Sequence, residues 1–113
     1  MTLTTLPPMG LGVQIVPGLK IAVHEERGRA VVVLRGEADV STRPILADAL
    51  SRVIATHSGD VVVDLAELRF IDSASVSTLV TGQRLLAREG RELTFRSPST
   101  MAMRIIGVVG MAT

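Results

Sequence analysis

The chain has 113 residues, a formal net charge of +1, two phenylalanines, and no cysteine, tryptophan or tyrosine. That length makes one domain, and an apolar content of 47% is enough to fill one core, built from Val, Leu, Ile, Ala and Met. Without cysteine there is no disulfide framework, thiolate metal site or cysteine nucleophile, and without aromatic platforms there is little to stack on single-stranded nucleic acid.

Pro7, Pro8, Pro17, Gly10, Gly12 and Gly18 crowd the start of the chain. This stretch lacks the basic start and apolar run of a secretion signal. It reads as a flexible arm, residues 1–18, ahead of a folded domain, residues 19–113. No apolar run reaches the length of a membrane span, so the chain reads as cytoplasmic, with no direct insertion into a membrane.

Residues 19–26 alternate through Leu19, Ile21 and Val23, the pattern of an edge strand. Arg27-Gly28-Arg29 marks a tight turn. Residues 30–34 form an apolar run rich in valine, as in a strand buried on both faces, so the two strands form a hairpin. A helix follows, capped by Ser41 or Thr42 with Pro44 in its first turn. Its stripe is Ile45, Leu46, Ala49, Leu50, Val53 and Ile54, and Gly59 ends the segment. Residues 61–65 (Val-Val-Val-Asp-Leu) are a second buried strand, and residues 66–71 a short connection to Asp72-Ser73-Ala74-Ser75. The second helix runs to about Glu89 and stops at Gly90. Its inward side is Val76, Leu79, Val80, Gln83 and Leu86, and its outward stripe is Ser77, Thr81, Arg84 and Arg88, in line with Ser73. Residues 93–96 are a short strand. The last helix starts with Ser97 as cap and Pro98 as first residue, carries Met101, Ala102, Ile105, Ile106 and Val109 on its apolar stripe, and stops at Gly110. The fold class is therefore α/β, a mixed β-sheet flanked by helices in the order β-β-α-β-α-β-α, with right-handed crossovers between parallel strands.

Sites in open α/β sheets lie beyond the carboxyl ends of the strands. Two polar loops qualify, residues 35–39 and residues 70–75. At Asp72-Ser73 two interpretations compete. One is a phosphorylatable serine at a helix N-terminus, where free N–H groups and the positive dipole end favour added phosphate. The other is a simple cap, and on these residues alone the cap wins. Catalysis by Ser73 needs a base and an oxyanion hole, yet the two histidines, His24 and His57, have no reason to approach it and no G-x-S-x-G elbow is present. Asp39, Asp64 and Asp72 are candidate magnesium ligands, but no phosphate-binding glycine loop accompanies them. Arg84, Arg88, Arg91 and Arg96 are interrupted by Glu89 and Glu92, which points to a solvated charged face rather than a nucleic-acid surface. The small residues Ala74, Ser77, Thr78 and Thr81 either allow close approach of a partner or merely tolerate exposure. Met101 and Met103 suit an adaptable contact surface or the core.

Gly36-Glu37-Ala38-Asp39, then a helix, then Val61-Val62-Val63-Asp64-Leu65, then Phe70-Ile71-Asp72-Ser73 resembles the STAS domain family, and within it the anti-sigma factor antagonists. The resemblance covers residues 19–110 and rests on the order and spacing of these segments together. It implies a protein that is not an enzyme. An unmodified antagonist binds an anti-sigma factor, often a serine kinase, and so frees a sigma factor for transcription. The kinase phosphorylates the serine after the Asp, affinity is lost, and a serine phosphatase reverses the step. On that match Ser73 is the phospho-acceptor, and Asp39, Asp72, Ser73, Ala74, Ser75, Ser77 and Thr81 belong to the partner surface. The chain itself needs no metal or cofactor, because ATP belongs to the kinase. The family's next two residues are usually Ser or Thr, then Gly. Here they are Ala74 and Ser75, which implies a reshaped surface or a competing acceptor. The alternative is a STAS module that binds without phosphorylation, such as the cytoplasmic subunit of an ABC-type lipid transporter or a signalling-complex scaffold.

Overall fold

In the computed structural model, residues 12–111 are described. They form a five-stranded sheet and three helices: β1 (Gly12–Val16), β2 (Leu19–Glu26), β3 (Arg29–Ala38), α1 (Arg43–Thr56), β4 (Val61–Ile71), α2 (Ser73–Arg88), β5 (Leu93–Arg96) and α3 (Thr100–Met111). The strands lie in chain order across the sheet; β1–β2 and β2–β3 are antiparallel, and β3–β4 and β4–β5 parallel. From residue 19 onward this is the order expected from the sequence.

Ahead of residue 19 the structure corrects the flexible arm. Residues 12–16 are a strand, and Val16 pairs with Leu19 across a two-residue turn. Pro17 sets the first turn position and Gly18, at φ +92°, takes the second, which needs positive φ. β2 is therefore an interior strand rather than an edge. The rest of the arm, residues 1–11, lies outside the described residues. The next turn is as read: Arg27 and Gly28 sit at φ +52° and +80°, the paired positive values that suit a two-residue hairpin.

The connection expected over residues 66–71 is instead the second half of β4. Val33 pairs with Asp64 but Arg35 with Glu67, and Gly36 pairs with Leu68 but Glu37 with Phe70. At each step β4 spends one more residue than β3, so it carries two bulges. Each bulge breaks the alternation that would have announced a strand.

All three helices share one core. Leu46, Ala49, Leu50 and Val53 of α1, Val76, Leu79, Val80 and Leu86 of α2, and Ala102 of α3 pack with Ile21, Val23, Val32, Leu34, Val61, Val63 and Leu93 of the strands. Each such aliphatic side chain contributes about 1.5–3 kcal/mol by leaving water. On the opposite face Arg96 reaches Glu26 Oε1 at 3.4 Å and Asp64 Oδ2 at 3.8 Å, and His24 Nε2 meets Glu26 Oε2 at 2.8 Å. The His24 ring first, and then Arg96, holds the Glu26 carboxyl below its ordinary range.

Two helix ends differ from the sequence reading. Ser99, not Ser97, caps α3: its hydroxyl accepts from Ala102 N at 3.0 Å. Ser97 is in the left-handed region at φ +54°, because the chain must reverse after β5 and Pro98 disfavours helical backbone at the residue before it. Nor does Gly110 stop α3, which continues through it to Met111; the side chain of Val109 lies outside the described residues.

Arg91 is not part of a solvated face either. Its side chain is only 12% exposed, and it donates to Ile54 O at 3.1 Å, His57 O at 2.5 Å and Gly59 O at 3.0 Å. It closes the carbonyls left free at the end of α1.

Candidate functional site

The two polar loops meet at the carboxyl ends of β3 and β4. Asp72 N donates to Ala38 O at 3.1 Å, which brings the start of α2 against the loop leading into α1. Gly36 makes a second approach possible, that of the β1–β2 turn. This glycine sits at φ +104°, and a side chain there would collide with the carbonyl of Gly18. The same carbonyl accepts from Glu37 N at 2.7 Å. The β1–β2 turn thus buttresses the end of β3 from behind.

Within the first loop Asp39 is occupied by its own neighbours. One carboxylate oxygen accepts from Ser41 N at 2.9 Å, Ser41 Oγ at 2.6 Å and Thr42 N at 3.2 Å. These bonds, the Ser41 hydroxyl first, hold the Asp39 carboxyl below its ordinary value. The buried Thr42 hydroxyl accepts from Asp39 N at 3.0 Å. Of the two caps expected for α1, Thr42 holds the position, but its side chain makes no cap bond; Asp39 braces the entry instead.

In the second loop Asp72 caps α2, accepting from Ser75 N at 2.8 Å. Capping and modification need not compete, because they fall on different residues: Asp72 is the cap and Ser73 is the first residue of the helix. Ser73 is exposed, and Ser77 and Thr81 are exposed on the same stripe. Asp39, Asp72 and Ala74 are half-buried.

Ser75 corrects the sequence reading. It is 0% exposed and its hydroxyl has no hydrogen-bond partner. It is neither part of the surface nor a competing acceptor. The reason is helical geometry: two residues on from an exposed position lies the opposite side of the helix.

Sequence reasoning offered Met101 as contact surface or core but missed Val40 and Phe70 in the apolar rim of this end. Val40, Phe70 and Met101 are 68%, 46% and 62% exposed. Val40 follows Asp39, Phe70 stands two residues before Asp72, and Met101 lines a cavity of about 250 Å³ with Phe70 and Ile71. Phe70 escaped notice because the bulges put it out of phase. Val40 is a lone apolar residue in a polar loop, which is the one signal that was available.

The other sequence candidates lie elsewhere. His24 bonds Glu26, and His57 stands 3.2 Å from Thr56 Oγ1 at the end of α1, so neither is engaged with Ser73. Asp64 turns to Ala66 N at 2.9 Å and to Arg96. Among the described residues no three His, Cys, Asp or Glu side chains gather as a metal site, and no helix is long and apolar enough to cross a membrane.

A family model described as "Mlab, STAS domain" matches residues 21–113. The chain belongs to the STAS domain family. An anti-sigma factor antagonist from Mycobacterium paratuberculosis is similar in structure, with a TM-score of 0.70 and 26% identity over 95% of this chain and 84% of that one. The phosphorylated form of SpoIIAA, a Bacillus cell fate determinant, superposes with a TM-score of 0.64 at 19% identity, over 81% of this STAS domain and 85% of that chain. The murine anion transporter Slc26a9 contains the same fold, with a TM-score of 0.59 at 14% identity over 95% of this chain and 17% of that one. At such identities the last two likenesses speak for the fold alone.

Proposed function

We propose that this STAS domain is an anti-sigma factor antagonist whose hold on its partner is switched by phosphorylation of Ser73. The observation that carries the proposal is the placement of Ser73. It is the first residue of α2, exposed, directly after the capping Asp72 and in line with exposed Ser77 and Thr81. The similarity to an anti-sigma factor antagonist at 26% identity supports it.

The chemistry follows from that position. Unmodified, the first turns of the stripe, Ser73, Ser77 and Thr81, are small and uncharged, so a partner backbone can approach closely there. A phosphate adds about −1.5 to −2 charges beside Asp72. The free N–H groups of the first turn stabilise it on this side, while the partner surface must desolvate it. A tenfold loss of affinity needs only about 1.4 kcal/mol. The phosphoryl donor, ATP, is held by the partner kinase, and a serine phosphatase restores the binding form. This chain needs no cofactor, performs no catalysis and acts in the cytoplasm on sigma-factor-dependent transcription.

The test is intact-protein mass after incubation with ATP and candidate anti-sigma kinases. Wild type gains one phosphate and Ser73→Ala gains none. Ser73→Asp binds the anti-sigma factor at least tenfold more weakly than wild type; equal binding would remove the switch. A second reading, a STAS module that binds without being modified, is favoured by one observation: Ala74 and Ser75 follow Ser73 where the family usually has Ser or Thr, then Gly. A transporter or scaffold subunit that co-purifies with the chain, with no mass gain under any kinase, decides for it.

A further inference from the structure

Charge divides this molecule by layer. The five strands hold five cations and five carboxylates. The three helices hold five arginines and the single Asp48, a net charge of +4. Asp48 pairs with Arg52 at 3.1 Å. Arg43, Arg84, Arg88 and Arg104 are exposed and have no ion-pair partner among the described residues.

The same layer carries a groove of about 440 Å³ between α1 and α2. Its apolar lining includes Pro44, Leu50, Ile54 and Leu85. At its floor Gly82 lets Leu50 pack against the backbone of α2, since a side chain there would come within 2.5 Å of Leu50 Cδ2. Leu85 is left 45% exposed. Arg43 stands at one end; toward the other, Arg88 follows Leu85 by one turn, and its neighbour Glu89 is paired with Arg91 at 2.8 Å. Thr81, on the Ser73 stripe, forms part of the wall.

We propose that the α1–α2 groove receives an acidic amphipathic helix of the protein partner, with its apolar face on Leu50, Ile54 and Leu85 and its carboxylates at Arg43 and Arg88. This rests on the partner-binding reading of the Ser73 stripe and names the chemistry of what binds there. An apolar trough with Arg43 in its lining and Arg88 exposed nearby suits the helix-in-groove mode of recognition, and steering by opposite charge speeds the encounter. A second copy of the chain does not fit, because each of its helices would bring arginine to arginine. A membrane surface would meet the rim of the trough and leave its floor empty. The proposal also gives the phosphate a second effect. On Ser73 it places negative charge at the edge of a cationic layer that an acidic partner needs.

The test uses the full chain and a synthetic helical peptide with Leu at i, i+3, i+4 and i+7 and Glu elsewhere, followed by backbone amide NMR. The expected result is shifts at Ile54, Gly82 and Leu85. Affinity falls at least tenfold in the Arg43→Glu/Arg88→Glu double variant, and falls steeply as salt shortens the screening length from about 10 Å to about 3 Å. An Arg27→Glu/Arg29→Glu variant makes the same charge change at the β2–β3 turn and binds like wild type. Unperturbed amides far from the groove certify the fold of each variant. Equal binding of a Lys-for-Glu peptide, equal loss in the turn variant, preferential binding of phosphatidylglycerol vesicles, or dimerisation of the free chain through the groove would each overturn the proposal. The Ser73→Asp experiment uses the anti-sigma factor and not the peptide, so the switch and the groove fail separately.

Discussion

Ser75 and Asp39 show how far one residue's chemistry depends on the partners that the fold supplies. The Ser75 hydroxyl is buried without a partner, and a polar group so placed costs about 1–3 kcal/mol. Ser75→Ala removes that cost and adds a better helix former, offset by a small void. Stability should rise by about 1 kcal/mol, seen as a melting midpoint about 4–8 °C higher for a domain of this size. A fall of similar size would mean that the hydroxyl is satisfied. Asp39 has the opposite situation, with three donors on one oxygen. Its folded pKa lies below its ordinary value near 3.8. The unfolded chain therefore takes up the proton first as pH falls. The contribution is complete above about pH 4 and is lost below it, as pH passes through the lowered folded value. Asp39→Asn keeps an acceptor but does not titrate. Urea midpoints measured down through pH 4 should fall less steeply in this variant than in wild type, and parallel curves would show that Asp39 contributes nothing to the acid limb.

The end of α1 shows the same logic at the scale of an element. The apolar stripe that builds α1 was legible because a helix repeats its burial every 3.6 residues: Leu46, Ala49, Leu50 and Val53 are all buried. The end of the helix was not legible, because what closes it comes from 34 to 37 residues further along the chain. Arg91 in sequence is one charge among several. In the fold its planar fork reaches three carbonyls at once, which a lysine cannot do. Arg91→Ala should cost about 2–4 kcal/mol by leaving those carbonyls unpaired, and Arg91→Lys should recover less than half. Hydrogen exchange at the last turn of α1 should speed up in both. If the loss appeared in denaturation without faster exchange there, Arg91 would be acting through packing instead. The candidate site divides the same way. Its polar residues were legible as a motif: Asp72 caps and Ser73 is exposed. Its apolar rim was not, since Phe70 owes its exposure to bulges that only the pairing with β3 reveals.

For the whole molecule, what sequence could not supply was the sheet's first strand, and that strand bears on the site. Prolines and glycines made residues 1–18 look like an arm, yet Pro17-Gly18 is also the signal of a turn between two strands. Val13, Ile15 and Val16 flank that turn with the β-branched side chains that strands favour. The functional consequence runs through Gly18, whose carbonyl receives Glu37 N beside Gly36 and so fixes the end of β3, where Asp39 begins its loop. A chain beginning at Gly18, compared with one beginning at Gly12, tests this directly. It loses the pairing of five residues with β2 and the half-buried Val16, which packs against the core. Burial of one such valine side chain is worth about 1.5 kcal/mol or more, so stability should drop by roughly 1–3 kcal/mol. The free backbone edge of β2 becomes a template for other chains, and the shortened protein should associate in a concentration-dependent way by sedimentation. If residues 12–17 were merely an arm, the two chains would melt together and sediment alike. Stability alone would not separate a general loss from a specific one. Amide shifts at Glu37 and Asp39 would: they should move in the shortened chain while those of β5, at the opposite edge of the sheet, stay in place.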